Sequence, residues 1–276
     1  AVGEARALLQ NQFGTETHVL NKGEVLEREP DLGDSILGAL YCPLDGASDH
    51  TAVTHAFSDA ARRAGANISE NTRVERLEID KGRAIALMTC EGERVEIGRN
   101  LFILANAGVD RLVQDRVKLP IWSRTFQVMI TEPIKELRLK HLIGHMSRTL
   151  ALKTEAGSRV MISGGLPGVW DAETETGKTI ERSIRANFAD AFAVYPSIVE
   201  VGIETTYADL LDSSAIDSIP VIDLVPGASN AIYAAAWCGH GWAIAPSVTR
   251  MLADWAMSGK RPELLAPFSH ARFGPC

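Results

Sequence analysis

A mixed α/β fold in two interleaved parts is predicted by three features of this 276-residue chain. An apolar strand at 230–236 runs into the glycine turn Gly239-His240-Gly241 and then into a segment whose Ile244, Val248, Met251, Leu252 and Trp255 recur at helical spacing. The continuous apolar run 101–105 has the composition of a strand buried on both faces, and small residues, Ala107 and Gly108, follow it. From Pro120 the pattern changes to longer strands separated by polar turns, as an antiparallel sheet with one covered face requires. The chain therefore weaves between two parts: residues 45–118 and 216–276 form one, and residues 1–44 and 119–215 the other.

Taken in order, residues 1–12 read as a helix with Ala7, Leu8 and Leu9 toward its buried side, and 19–29 as a polar, charged connector. A strand follows at 36–42. Asp45-Gly46 marks a turn, and Ser48 or Asp49 can cap a helix in which Val53, Ala56, Phe57, Ala60 and Ala64 repeat until Gly65 stops it. That helix is expected to pack on a sheet. Short alternating strands at Ile68, 74–79, 84–88 and 95–97 surround hairpin-like turns at Lys81-Gly82 and Glu91-Gly92. In the antiparallel part, strands are predicted at 123–130, 148–153, 159–163 and 201–207, with one helix at 176–194 ended by Tyr195-Pro196.

Composition removes several function classes. With 46% hydrophobic and 23% charged residues the chain is ordinary globular protein, and a net charge of −7 without a Lys/Arg cluster argues against nucleic acid or an anionic membrane as partner. Cys42, Cys90, Cys238 and Cys276 lie far apart with no C-x-x-C, which suggests neither a zinc site nor a dense disulfide framework and fits the cytoplasm. No apolar run approaches the roughly 20 residues that span a bilayer. His141 and His145 are spaced as two ligands on one helix face, but no third ligand accompanies them, so they read as surface histidines and no metal is expected.

Several weak motifs in order resemble one family, the glycine oxidase, D-amino-acid oxidase and sarcosine oxidase group of FAD-dependent amine oxidoreductases. The run Ser218-Ile219-Pro220-Val221-Ile222-Asp223, the strand 230–236, Gly239-His240-Gly241 and Gly259 are similar to its C-terminal flavin-binding end. Pro30-Asp31-Leu32, Asp45-Gly46, Gly65-Ala66, Thr72-Arg73-Val74 and the stretch from Leu101 to Gly108 are similar to its middle. The resemblance implies a partial FAD-binding Rossmann-like domain interleaved with an antiparallel-sheet substrate domain. Such proteins open on a strand, a G-x-G-x-x-G turn and a helix, and no such pattern occurs here, so the chain is expected to lack roughly the first hundred residues of such an enzyme. A missing segment, or a partner chain, would then supply the pyrophosphate site.

The implied chemistry is hydride removal from a carbon bearing an amine, with FAD as acceptor and an amino acid or amine as the small-molecule substrate. Oriented amides at Gly239, His240, Gly241, Trp242 and Ala243, with the dipole of the following helix, suit the flavin edge that gains negative charge. Resemblance places the backbone of Val74 at the adenine and Ala107 and Gly108 where the nucleotide passes close. For the substrate carboxylate, the resemblance implies an Arg or Lys on the strand 148–153, where Arg148 and Lys153 are available; alternation would put them on opposite faces, so at most one points inward, and Lys153 is preferred. Gln127 matches a half-exposed strand bordering the flavin in relatives. No side chain is assigned as chemical catalyst. The positions at which sarcosine-oxidising relatives carry a lysine and a flavin-linking cysteine hold Ala243 and, around 205–207, no cysteine, so FAD is expected to be non-covalent or absent from this chain, and oxidase and dehydrogenase stay open. The contrasting expectation is a non-catalytic binding or assembly subunit.

Overall fold

A computed structural model describes residues 2–274. Its first stretch holds α1 (Val2–Gln12), β1 (His18–Asn21), α2 (Lys22–Arg28), β2 (Gly38–Tyr41) and α3 (His50–Arg63). Strands β1 and β2 pair antiparallel, with His18 opposite Tyr41. The connector expected at 19–29 is thus a strand and a helix, and the cause is local. Asn21 accepts the amide of Glu24 while Glu24 accepts the amide of Asn21, a reciprocal cap that nucleates α2. Helix α3 starts where Asp49 accepts the amide of Ala52. None of its residues is buried, so the expected packing on a sheet is not found; Phe57 stays 62% exposed.

The chain continues through β3 (Val74–Asp80), β4 (Arg83–Thr89), β5 (Arg94–Glu96), β6 (Leu101–Ile103), α4 (Val109–Val113) and β7 (Ile121–Thr131). Ile68 lies outside any strand. Then come β8 (Ile143–Gly144), β9 (Ala151–Glu155), β10 (Arg159–Ser163), β11 (Val169–Asp171), β12 (Thr176–Lys178), α5 (Glu181–Val194) and β13 (Ile203–Ala215). The helix predicted from 176 begins only at Glu181, because Asp171 accepts the amides of Glu173 and Thr174 and folds the preceding residues into the β11–β12 hairpin. The last elements are β14 (Val221–Leu224), β15 (Ala231–Ala235) and α6 (Gly241–Ser258), which ends at Gly259 in the left-handed region, φ 70°.

Two compact units result, one of residues 1–66 and 125–210, the other of residues 67–124 and 211–276. The sequence predicts boundaries at 44, 118 and 215; the crossings lie at 66, 124 and 210.

The first unit is built on a five-stranded sheet in the order β13-β7-β10-β9-β8. Register fixes its two faces. Leu152 lies opposite Ile162, and Ile162 opposite Met129, so these share one face and join the core with Ala191 and Val194 of α5 and Val25 of α2. Lys153, Met161 and Ile130 are likewise opposite one another and share the other face.

The second unit is layered. Strands β14, β15 and β6 form a sheet in which β14–β15 is antiparallel and β15–β6 parallel. All five residues of β15 are buried. Ile232 and Ala234 meet Val248, Leu252 and Trp255 of α6, whereas Ala231, Tyr233 and Ala235 meet Val109 and Val113 of α4 and Ala84 of the β3-β4-β5 meander. Buried Asn230 joins the layers: its side chain accepts the amide of Ala84 and donates to the carbonyls of Ala84 and Arg99.

Candidate cofactor and substrate sites

Every residue assigned to the cofactor falls in the second unit. Its parallel strands β6 and β15 run from Leu101 opposite Ala231 to Ile103 opposite Tyr233. Their carboxyl ends lead to a 3-10 turn, Asn106–Gly108, and to the residues before α6. Open α/β sheets bind ligands beyond such ends.

At that end, Ser213 accepts the amide of Cys238 through its carbonyl at 3.0 Å and Trp237 that of His240 at 2.9 Å. Asp212 Oδ2 accepts the amide of Gly239 at 2.7 Å. Two amides nominated for the flavin, those of Gly239 and His240, are thus spent inside the chain. The candidate donors move to the first turn of α6, where Gly241 and Ala243 stand with Trp242 between them; for the amides of Gly241 and Ala243 helical geometry supplies no acceptor. No acidic residue occupies that turn and the His240 side chain caps nothing, so the positive end of an 18-residue helix has no acidic partner within its own first turn, although the Asp212 carboxylate lies at the turn before it. The site therefore fits the electron-rich edge of a flavin.

The two glycines differ. Gly239 needs its φ of 78°, and a Cβ there would meet nothing within 4 Å. At Gly241 a Cβ would stand 2.9 Å from Trp237 Cβ, so that glycine lets the tryptophan pack over the turn. Val74 is half-buried at the start of β3, and its carbonyl accepts Arg111 at 3.4 Å. Ala107 and Gly108 follow Asn106, a residue with φ 45°.

The three substrate candidates lie in the first unit but do not converge. Lys153 is 9% exposed, and its ammonium stands 2.6 Å from Glu155 and 3.4 Å from the carbonyl of Ser48. Gln127 shares the parity of Met129 and faces the helix-covered side, opposite to Lys153. It is 1% exposed rather than half-exposed, and it accepts the amide of Ile180. Arg148 precedes β9 instead of belonging to it, so alternation with Lys153 does not apply; it pairs with Asp190 of α5. Lys153 is left on the other face of the sheet with Glu155, whose charge, after burial, helps push the Tyr207 hydroxyl above its ordinary value.

His141 keeps its side chain 37% exposed, and its ring contacts Glu29, a 3% exposed carboxylate that also accepts the amides of Lys140 and His141. His145 accepts the amides of Ser147 and Arg148. Neither lies on a helix, and among the described residues no three His, Cys, Asp or Glu side chains gather as for a metal. Cys42, Cys90 and Cys238 are free thiols; Cys276 lies outside the described residues. No helix of the described residues is long and apolar enough to cross a membrane. Sequence reasoning missed Asn106, Asp212, Ser213 and Glu155. The first three carry no spacing signal, since the fold brings together residues 106 and 107 apart in the chain.

Comparison with known proteins identifies the family and the fold. The family described as FAD dependent oxidoreductase (DAO) matches residues 1–255. An opine oxidase chain of Rhizobium meliloti, named as one of that enzyme's subunits, is 27% identical over 278 residues, covering 98% of this chain and 68% of that protein. The sarcosine oxidase beta chain of Arthrobacter sp, likewise named as a subunit, is 24% identical over 280 residues, with coverages of 97% and 66%. The chain thus spans about two thirds of the length of these relatives. Among solved structures, L-proline dehydrogenase from P. horikoshii has the same fold with a TM-score of 0.85 at 23% identity, covering 96% of this chain and 70% of that one. Glycine oxidase from Geobacillus kaustophilus gives 0.85 at 22%, with coverages of 98% and 70%.

Proposed function

This chain belongs to the FAD dependent oxidoreductase family, and on that premise we propose that it carries the flavin-edge turn and the substrate sheet of an enzyme oxidising the CH–NH bond of an amino acid or related secondary amine. One observation carries the reading: the paired carboxyl ends of β6 and β15 lead to the start of α6, whose first turn holds no acidic residue. FAD, when bound, would accept the hydride equivalent. Gly241, Trp242 and Ala243 would face its electron-rich edge, Gly239 and His240 would shape the turn, and Ala107 and Gly108 would admit the nucleotide near Val74. Lys153 would hold the substrate carboxylate, exchanging part of its contact with Glu155 for it. Attachment is non-covalent, because no cysteine stands near 205–207.

The opine oxidase and sarcosine oxidase relatives are both named as subunits, which supports a working enzyme with more than one kind of chain. Sparse, separated cysteines support a cytoplasmic one. The test is anaerobic bleaching of the protein's FAD by glycine, sarcosine, proline and an N-carboxyalkyl amino acid in turn. Reduction by at least one is expected. If this chain, joined by the segment or partner that completes the nucleotide site, takes up no FAD, or its FAD stays oxidised with all four, it would fit the non-catalytic assembly role instead.

A further inference from the structure

We propose that Asp212, Ser213 and Asn106 form a clamp that positions the cofactor turn, and that the charge of Asp212 sets how readily a bound flavin is reduced; the second clause rests on the flavin reading above. The clamp closes around strained backbone. Asn106, Ala236 and Cys238 adopt φ of 45°, 58° and 55°, and Gly239 one of 78°. For a residue with a Cβ such conformations are unfavourable and persist only where surroundings over-determine them.

Each strained position is held by the same three residues. Ser213 Oγ accepts the amide of Ala236 at 2.9 Å, and the Ser213 carbonyl accepts that of Cys238 at 3.0 Å. Asp212 Oδ2 accepts the amide of Gly239 at 2.7 Å. The side chain of Asn106 ties the two together, donating to Asp212 Oδ1 at 2.9 Å and accepting from Ser213 Oγ at 2.7 Å. Ser213 is fully buried, so its hydroxyl cannot exchange these partners for water.

Asp212 has a second consequence. Both its oxygens are spent on neutral amides, and among the described residues no basic side chain forms an ion pair with it. Its negative charge therefore sits, with no cationic side chain paired to it, on the turn that precedes the first-turn amides of α6. A flavin edge held by those amides gains negative charge on reduction, which a nearby carboxylate opposes. Asp212 is thus a positioning residue whose charge makes the flavin harder to reduce.

The test uses the whole protein with D212N, D212E and S213A. Amide hydrogen exchange of residues 236–239, read without flavin, reports the clamp: at least about tenfold faster exchange is expected in S213A and D212N, from the loss of buried or charge-assisted hydrogen bonds. Flavin midpoint potential, read by equilibration with a reference dye, reports the charge: D212N shifts upward, whereas D212E, which keeps the charge, and S213A do not. Wild-type exchange in both S213A and D212N would overturn the clamp, and an unshifted potential in flavin-loaded D212N would overturn the charge effect. If wild-type protein binds no flavin, the proposed function and the charge effect fall together, while the exchange measurement still decides the clamp.

Discussion

At the scale of single residues, the two glycines beside His240 make opposite predictions. Gly239→Val places a β-branched residue at φ 78° in open space, so its cost is backbone strain, about 1–2 kcal/mol. The variant is expected to fold with a lowered melting temperature and to lose FAD absorbance. Gly241→Ala is expected to displace Trp237, seen as a change in tryptophan fluorescence before any loss of fold, because its Cβ would meet that side chain at 2.9 Å. Lys153→Met is expected to raise KM for carboxylate substrates and also to lower thermal stability, since it strands Glu155. The double variant Lys153→Met, Glu155→Leu should recover the stability and not the KM, and recovery of both would remove Lys153 from the substrate site. The turn and its glycines were legible in the sequence because glycine's conformational range is a property of the residue itself. The opposite facing of Lys153 and Gln127 was not, because it depends on strand register, which a shift of one residue inverts.

At the scale of elements, α6, β15, the meander and the strand 159–163 followed from periodicity and turn residues alone. Helix α2 did not, although its signal was present: Asn21 with Glu24 at the third helical position is a capping pattern, masked by a polar surface face. Asn21→Ala is expected to cost about 1 kcal/mol, read as a lower denaturation midpoint with an unchanged denaturant slope. Helix α3 is the contrary case, a segment with an apolar repeat and no buried residue. Periodicity declares which side of a helix is able to be covered and leaves open what covers it.

For the molecule as a whole, acid should be the destabilising direction. The Arg272 guanidinium beside Asp217 and the Arg159 guanidinium beside Glu204 hold those carboxyls below their ordinary values of 3.8 and 4.5. Depressed carboxyl values mean that their stabilisation is complete above the ordinary values and is lost as pH falls through the lowered ones. Asp110, raised by burial, acts in the reverse sense and favours the fold when protonated. A melting temperature that drops as pH falls below about 4, with a shallower drop in Asp217→Asn, is the expected profile; equal slopes would exclude the Asp217–Arg272 pair. The change of pattern at Pro120 predicts a passage between parts of the chain, and long strands β7 and β13 run through two of the crossings between the compact units. One buried side chain gives that interleaving a timetable. Asn230 bonds Ala84 across 146 residues of chain, so the meander waits for polypeptide that leaves the ribosome long after it. During synthesis the early strands must survive without their keystone until residue 230 has been made.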